Sequence, residues 1–217
     1  MNNLSYIRNT ILKKELTLLP PKTLDNIKFC ITEVVNNNIE GDFIETGVWR
    51  GGAVIYAYHV LKGFNSKKKV YVADSFSGLP KPNIRDYPQD MGDPHWKIEK
   101  LKVSLEEVKN NFKLFGDIDK NVIFLKGWFK NTLYTNDIKK LSVLRLDGDM
   151  YESTWQALDA LYPKLSVGGY CIIDDFGHIR AKKATLDYRQ KYEIEDEIVL
   201  IDKTPGAYPS IYWKKTK

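Results

Sequence analysis

The chain has 217 residues with a net charge of +5, and 43% of its residues are hydrophobic and 28% are charged. This balance is typical of a globular protein with a substantial core, and the length fits one domain better than two. Basic residues are spread along the chain, with short clusters only at 67–69 and at the carboxyl end. This distribution disfavours a nucleic-acid-binding protein, which usually concentrates its positive charge on one face.

The sequence pattern predicts neither a membrane-spanning helix nor a signal peptide. No apolar run approaches the roughly 18–20 residues that a membrane-spanning helix needs. The first 24 residues lack the apolar centre and small-residue cleavage site of a signal peptide. Cys30 and Cys171 stand among apolar neighbours, so we expect buried free thiols and a cytoplasmic protein.

Strand and helix patterns alternate along most of the chain. Residues 1–40 are expected to be helical decoration on a main domain of residues 41–217. Strands are predicted at 43–45, 70–74, 122–125, 141–146, 168–174, 198–201 and 211–213. Helices are predicted at 51–64, after Ser104 with the Ser104–Glu107 spacing of a capping box, after a cap at Ser153, and at 179–192. The last two strands are joined by a short turn-rich link, 202–210, and are expected to pair antiparallel.

This order predicts an α/β, Rossmann-like fold. We expect a seven-stranded, mostly parallel sheet with helices on both faces and an antiparallel last strand. Residues 77–100 contain four prolines and little periodicity. A segment of that length without regular structure is usually functional, so it is predicted to form a lid-like loop over the site, with a solvated surface excursion as the alternative.

Glycines and an acid follow the first two predicted strands. Gly47, Gly51 and Gly52 of "ETGVWRGG" lie between a strand and a helix, where the backbone can turn tightly and approach a ligand. The spacing differs from the Gly-x-Gly-x-x-Gly pattern of dinucleotide sites. Asp74, at the end of the second strand, is placed to accept hydrogen bonds from ribose hydroxyls. A nucleoside cofactor without a phosphate signature is indicated, and S-adenosylmethionine is the obvious candidate.

Three further acids follow adjacent strands. Asp147 ends the fourth strand, and Asp174 and Asp175 end the fifth. Carboxylates that converge in this way repel one another unless a cation lies between them. An oxygen-preferring divalent cation such as Mg²⁺ is predicted, because no Cys or His cluster has the spacing of a zinc site. The alternative is neutralisation by basic side chains, with Arg145, Arg180 and Lys182 as the candidates.

The three histidines differ in their positions. His59 lies within an apolar helix and is expected to be structural. His95, in the long loop, and His178, after the fifth strand, are placed to reach the site, and either is a candidate general base.

The motifs together resemble the macrocin O-methyltransferase (TylF/MycF-like) family, in the same order and from about residue 41 to the carboxyl end. The blocks that carry the resemblance are "ETGVWRGG", "VADSFSGLP", "LKVSLEEVKNNFKLFG", "FLKGWFKNTL", "LRLDGDMYEST", "ALYPKLSVGGYCIIDDFG" and "DYR". The resemblance implies a class I methyltransferase fold and methylation of sugar hydroxyls with S-adenosylmethionine and Mg²⁺ or Mn²⁺.

The resemblance also implies residue roles. The cofactor would be bound by Glu45, Thr46, Gly47, Val48, Trp49, Asp74, Ser75, Phe76, Ser104, Trp128 and Phe129. Asp147, Asp174 and Asp175 would ligate the metal. Methyl transfer also needs the acceptor hydroxyl deprotonated, and the expected proton acceptor is Asp147, Asp149 or His95. The amino-terminal segment and the loop 78–100 depart from the family pattern, and we expect acceptor recognition there.

The function expected from the sequence is metal-dependent O-methylation of a sugar or glycoconjugate. Two alternatives stay open: the same chemistry on a phosphate, phosphoramidate or phenol oxygen, and a non-catalytic S-adenosylmethionine-binding module. The expected partners are a small-molecule or nucleotide-linked sugar acceptor and a second copy of the chain, with neither nucleic acid nor membrane.

Overall fold

A computed structural model describes residues 4–135, 137–202 and 209–217 of the chain. The helices are α1 Leu4–Lys13, α2 Pro21–Asn36, α3 Gly52–Gly63, α4 Leu105–Lys113, α5 Phe129–Thr132, α6 Tyr151–Leu161 and α7 Ile179–Lys191. The strands are β1 Asp42–Thr46, β2 Val70–Asp74, β3 Val122–Lys126, β4 Leu141–Leu146, β5 Leu165–Ile173, β6 Val199–Leu200 and β7 Ile211–Lys214. The predicted order of elements is confirmed. The helix α5 was not predicted, and residues 203–208 of the predicted turn-rich link lie outside the described residues.

The seven strands form one sheet in the order β3-β2-β1-β4-β5-β7-β6. Strands β1 to β5 pair in parallel, and β7 pairs antiparallel with both β5 and β6. The predicted fold class and antiparallel ending are therefore confirmed. The chain runs outward from β1 to β3 and then returns to β4 beside β1, so the strand order reverses between β1 and β4. Ligands of such sheets bind at the carboxyl ends of the strands beside this reversal.

Alternate residues of the strands face two hydrophobic clusters, as the two-residue period of a strand requires. Phe43, Val72 and Val143 face the cluster formed with α1, α2, α3 and α4. Ile44, Ala73 and their neighbours on the opposite face pack with α5, α6 and α7. Burial on both faces explains why these strands read as nearly continuous apolar runs. Cys30 and Cys171 are buried free thiols, as predicted.

The start of α6 differs from the prediction. Its first residue is Tyr151 and its N-cap is Met150, so Ser153 lies inside the first turn and does not cap the helix. The cap comes instead from a distant part of the chain, since the two carboxylate oxygens of Asp90 accept the N–H groups of Tyr151 at 2.8 Å and Glu152 at 2.9 Å. A serine cap was unnecessary once this carboxylate satisfied the helix amino end.

The predicted capping box of α4 is half present. Ser104 is the N-cap and its Oγ accepts the N–H of Glu107 at 3.1 Å. The Glu107 carboxylate lies 3.0 Å from Nε of Arg50. The Glu107 side chain therefore links α4 to the glycine loop. In a complete capping box it would instead accept the backbone N–H of Ser104.

No helix among the described residues is long and apolar enough to cross a membrane.

Candidate active site

The glycine loop and the acidic strand end meet at the reversal of strand order. Gly47 has φ +79°, and a Cβ built there would lie 1.6 Å from the carbonyl oxygen of Asp147. The N–H of Asp147 donates to the carbonyl of Thr46 at 2.9 Å. Only glycine permits this approach, because any side chain would collide with the backbone of the neighbouring strand end. The predicted cofactor loop and the predicted metal ligands therefore share one site.

A single cavity of about 450 Å³ opens over these strand ends. Its lining includes the glycine loop with Asp74 and the acids that follow β4 and β5. Residues 17–20, which connect α1 and α2, and residues 78–81 of the long loop complete the rim. The volume is in the range of small-molecule sites.

Asp74 holds the two cofactor-side loops together. One of its oxygens accepts the N–H of Val48 at 2.8 Å, and the other accepts the N–H of Phe76 at 2.7 Å. Burial raises the pKa of Asp74, while these backbone donors favour its charged form. Ser75 Oγ also donates to Asp74 at 3.4 Å, so the carboxylate lies at the junction of the two loops and lines the cavity.

Most of the residues expected to bind the cofactor line the cavity. These are Glu45, Gly47, Val48, Trp49, Asp74, Ser75, Trp128 and Phe129. Thr46, Phe76 and Ser104 are not among the lining residues. Thr46 and Phe76 are buried beside the loops, and Ser104 is committed to the α4 cap.

Arg145 is the buried cation of the site, with 0% of its surface exposed. Its guanidinium contacts Glu45, lies 3.1 Å from Asp147 and lies 3.0 Å from Asp174. Burial raises the pKa of Glu45 to about 8 against the opposing effect of Arg145. Of the three basic residues that were predicted as alternative partners of the strand-end acids, Arg145 pairs with two of these acids, Asp147 and Asp174. Arg180 pairs with Asp93, and Lys182 lies over the ring of Phe176.

One guanidinium does not balance the acids around it, which are Glu45, Asp147, Asp149, Asp174 and Asp175. One carboxylate oxygen from each of Asp147, Asp149 and Asp175 lies within 4.8 Å of the other two. Burial, followed by repulsion from neighbouring acids, raises the pKa of Asp149 to about 7 and that of Asp175 to about 8. Burial and the same repulsion also raise the pKa of Asp147. A crowded, all-oxygen donor set with excess negative charge fits Mg²⁺ or Mn²⁺.

Asp174 has different partners from the other two predicted metal ligands. Besides Arg145, it accepts a hydrogen bond from Ser210 at 3.2 Å. Asp149, which sequence reasoning assigned to proton transfer, lies instead in the close group with Asp147 and Asp175. Its backbone has φ +56°, and its N–H donates to Asp175 at 2.9 Å. Asp149 is therefore held toward the fifth strand by its own backbone.

The two candidate general bases stand side by side. The rings of His95 and His178 are 4.9 Å apart, and a nitrogen of each lies within 4.8 Å of an Asp149 oxygen. Asp93 accepts from the backbone N–H of His95 and contacts its Nδ1, both at 2.8 Å. Burial lowers the pKa of His178, and the nearby ring of His95 lowers it further. His59 is buried between the rings of Tyr58 and Phe115, which agrees with a structural role.

The long loop 77–100 is fastened to the rest of the site. Asp90 caps α6, and Asp93 contacts Arg180 of α7 at 3.3 Å. At the end of the loop, Trp49 Nε1 of the glycine loop donates a hydrogen bond to the carbonyl of Lys100 at 2.8 Å. The loop therefore lies closed against the cavity in this structure, with its buried acids as anchors.

Comparison with known proteins gives the family. A model of macrocin-O-methyltransferase (TylF) matches residues 13–215. Demethyldecarbamoylnovobiocin O-methyltransferase of Streptomyces niveus is 45% identical over 204 residues, which are 93% of this chain and 76% of that protein. Mycinamicin III 3''-O-methyltransferase of Micromonospora griseorubida is 40% identical over 204 residues, which are 92% of this chain and 78% of that protein.

The fold agrees with the sequence comparison. The solved structure of the O-methyltransferase NovP aligns with a TM-score of 0.87 at 44% identity, covering 93% of this chain and 82% of that one. This chain belongs to the TylF family. It is an O-methyltransferase, so the resemblance inferred from the motifs is confirmed.

Sequence reasoning about the TylF-family site missed residues that act across long separations. Asp90 and Asp93 were read only as part of a proline-rich loop, although both are buried and engaged. Residues 17–20 belong to the amino-terminal segment in which acceptor recognition was expected; they line the cavity, although the sequence did not single them out within that segment. Arg145 carried a visible signal, because a charge within an apolar strand must be paired.

Proposed function

We propose that this TylF-family protein transfers the methyl group of S-adenosylmethionine to a hydroxyl of a sugar or glycoconjugate, with a divalent cation bound at the acidic strand ends. The observation that carries the proposal is the shared cavity. Its lining joins the glycine loop and Asp74 to the group of Asp147, Asp149 and Asp175. A methyl donor bound at the glycine loop and an acceptor bound at the acids would meet in this cavity.

The cofactor half of the proposal rests on the glycine loop. Gly47 brings the backbone close to the strand ends, and Asp74 lines the cavity where a ribose would lie. Trp128 and Phe129 line the adjoining part of the cavity, where their rings offer flat apolar surfaces to a base.

Asp147, Asp175 and Asp174 are the proposed ligands of Mg²⁺ or Mn²⁺, with Asp149 close enough to join them. Bound there, a divalent cation supplies a Lewis acid that makes an acceptor hydroxyl more acidic and a template that orients it. Arg145 holds Asp147 and Asp174 in place through its two ion pairs. The acids are thereby fixed before any ligand arrives, which is the preorganisation that such a site needs.

Methyl transfer from a sulfonium to an alcohol requires removal of the hydroxyl proton and alignment of the oxygen behind the methyl group. Asp149, Asp147 and His95 are the proposed proton acceptors. Asp93 contacts Nδ1 of His95, and one ring nitrogen of His95 lies within 4.8 Å of an Asp149 oxygen. The closed loop 77–100 would exclude water from the methyl donor and present its cavity-facing residues to the acceptor.

The sugar acceptor is proposed from the relatives. The mycinamicin relative is named for a 3''-O-methylation, and a third relative, from Streptomyces olivaceus, is named for a 4'-O-methylation of a rhamnosyl tetracenomycin. A polyhydroxylated acceptor suits a site with several carboxylate oxygens, since each can accept a hydroxyl hydrogen bond.

A methyl-transfer screen tests the proposal. Purified protein, S-adenosylmethionine and MgCl₂ are incubated with nucleotide-linked sugars, glycosides, simple phenols and phosphoramidates, and products are identified by mass. A gain of one methyl on a sugar hydroxyl supports the proposal. Methylation confined to phenol or phosphoramidate oxygens would overturn the sugar assignment and leave the cofactor assignment standing.

A further inference from the structure

His95, Asp149 and His178 form a group of metal-binding side chains beside the acidic strand ends. One side-chain nitrogen or oxygen of each lies within 4.8 Å of those of the other two. Nδ1 of His178 is 3.5 Å from the Asp149 carboxylate, and the centres of the two imidazole rings are 4.9 Å apart. The exposed fractions of the three side chains lie between 22% and 26%, so an ion from solvent can reach them.

Three separate segments of the chain supply these side chains. His95 belongs to the loop 77–100, Asp149 to the turn after β4, and His178 is the N-cap of α7. The histidines are too far apart in the sequence to form the spacing of a zinc motif, so only the fold brings them together. An ion bound by all three side chains would fasten the loop 77–100 to the ends of two neighbouring strands.

Each histidine ring has a partner that orients it. Asp93, whose side chain is fully buried, lies 2.8 Å from Nδ1 of His95, and its other oxygen lies 3.3 Å from Arg180. The backbone of Asp149 contacts the ring of His178. Donation from Nδ1 of His95 to the Asp93 carboxylate leaves the lone pair of the neutral ring on Nε2. Histidines that bind metals almost always use one ring nitrogen for such a partner and the other for the ion.

The donor set of this group differs from that of the acids. Two imidazoles and one carboxylate suit Zn²⁺, Co²⁺ or Ni²⁺, whereas carboxylates alone suit Mg²⁺ or Mn²⁺. Asp149 belongs to both groups, and a carboxylate has one oxygen for each of two cations. The chemistry of the ligands therefore distinguishes two neighbouring cation sites that share one residue.

We propose that His95, Asp149 and His178 bind a transition-metal ion of the Zn²⁺ class, in addition to the cation at the acidic strand ends. This inference goes beyond the proposed function and does not depend on it, because the three ligands stand on their own geometry. As a ligand, His95 donates its lone pair to the ion and does not accept a proton. Metal binding and proton transfer by His95 therefore exclude each other.

Zinc binding to the untagged wild-type protein in excess MgCl₂ tests the inference. Equilibrium dialysis followed by metal analysis is expected to find one Zn²⁺ per chain beyond any bound Mg²⁺. His95→Ala and His178→Ala should each weaken Zn²⁺ binding at least about tenfold, because loss of an orienting partner alone typically costs about 10- to 100-fold. His59→Gln is the matched control, since it changes a buried histidine of α3 and should bind Zn²⁺ as the wild type does.

X-ray absorption of the Zn²⁺-loaded wild type identifies the ligands without any variant. Scattering from imidazole rings is expected, and a spectrum of oxygen ligands alone would place the ion at the acids and overturn the inference. Zn²⁺ that only replaces Mg²⁺, or binding that both histidine variants retain unchanged, would overturn it as well. Absence of S-adenosylhomocysteine binding would instead overturn the proposed function and does not bear on this metal site.

Discussion

Replacement of Arg145 by methionine should destabilise the protein strongly. Arg145 is fully buried and contacts three carboxylates, those of Glu45, Asp147 and Asp174. Methionine has a similar length but no charge, so the acids would remain buried without their cation. Removal of one partner of a buried ion pair typically costs about 3–5 kcal/mol. Here one partner serves three acids, so the upper part of that range is expected.

Urea unfolding measures the effect. Lys140→Met is the matched control, because Lys140 immediately precedes β4 and pairs with Glu40 on the surface. An exposed pair contributes at most about 1 kcal/mol. In Arg145→Met the carboxylates would have raised folded-state pKa values, so the folded state would bind more protons than the unfolded state. The stability deficit of the variant should then shrink as pH falls from about 8 to about 5.

A second substitution strengthens the test. Adding Glu45→Gln to Arg145→Met removes one of the stranded charges and should recover part of the lost free energy. A free energy of unfolding for Arg145→Met within about 1 kcal/mol of wild type, with the same pH profile, would refute the assignment of Arg145 as the buried counter-ion.

Three further outcomes follow from the structure. Asp90→Ala removes the acceptor of two buried N–H groups and should lower the free energy of unfolding by about 2–4 kcal/mol, whereas Asp86→Ala on the exposed part of the same loop should change it by less than about 1 kcal/mol; equal effects would mean that Asp90 is no cap. Burial lowers the pKa of His59 to about 4, so unfolding takes up a proton between about pH 6.5 and pH 4, and wild-type stability should fall as the pH is lowered through that window. Urea midpoints of His59→Gln across the same window should show a flatter profile, and an equally steep one would assign the titration to other groups. Asp74→Asn should weaken S-adenosylhomocysteine binding by about 1–3 kcal/mol in calorimetry, and unchanged affinity would place the ribose elsewhere.

The sheet was predictable because its signals are local. Each strand is a short apolar run between turn residues, and two-sided burial of a parallel sheet produces such runs. The gathering of Asp147, Asp174 and Asp175 followed from the same logic, since parallel strands end at one edge. Sequence spacing alone could not separate Asp174, which pairs with Arg145, from Asp149, which lies nearer to Asp147 and Asp175.

The unpredicted features depend on contacts between distant parts of the chain. The side chain that caps α6 belongs to Asp90, 61 residues before Tyr151 in the sequence. The local sequence pattern therefore predicted Ser153 as the cap. Serine is a common N-cap residue, but Ser153 lies within the first turn of α6. Helix α5 has only four residues, too few to show a helical period.

The most direct test of the account is methyl transfer by the wild-type protein with and without divalent metal. An acceptor identified in the screen is incubated with S-adenosylmethionine after exhaustive chelation, and the methylated product is measured by mass. The account predicts that chelation abolishes product formation and that added Mg²⁺ or Mn²⁺ restores it. Full turnover in excess chelator, with the metal content of the protein confirmed as zero, would contradict it.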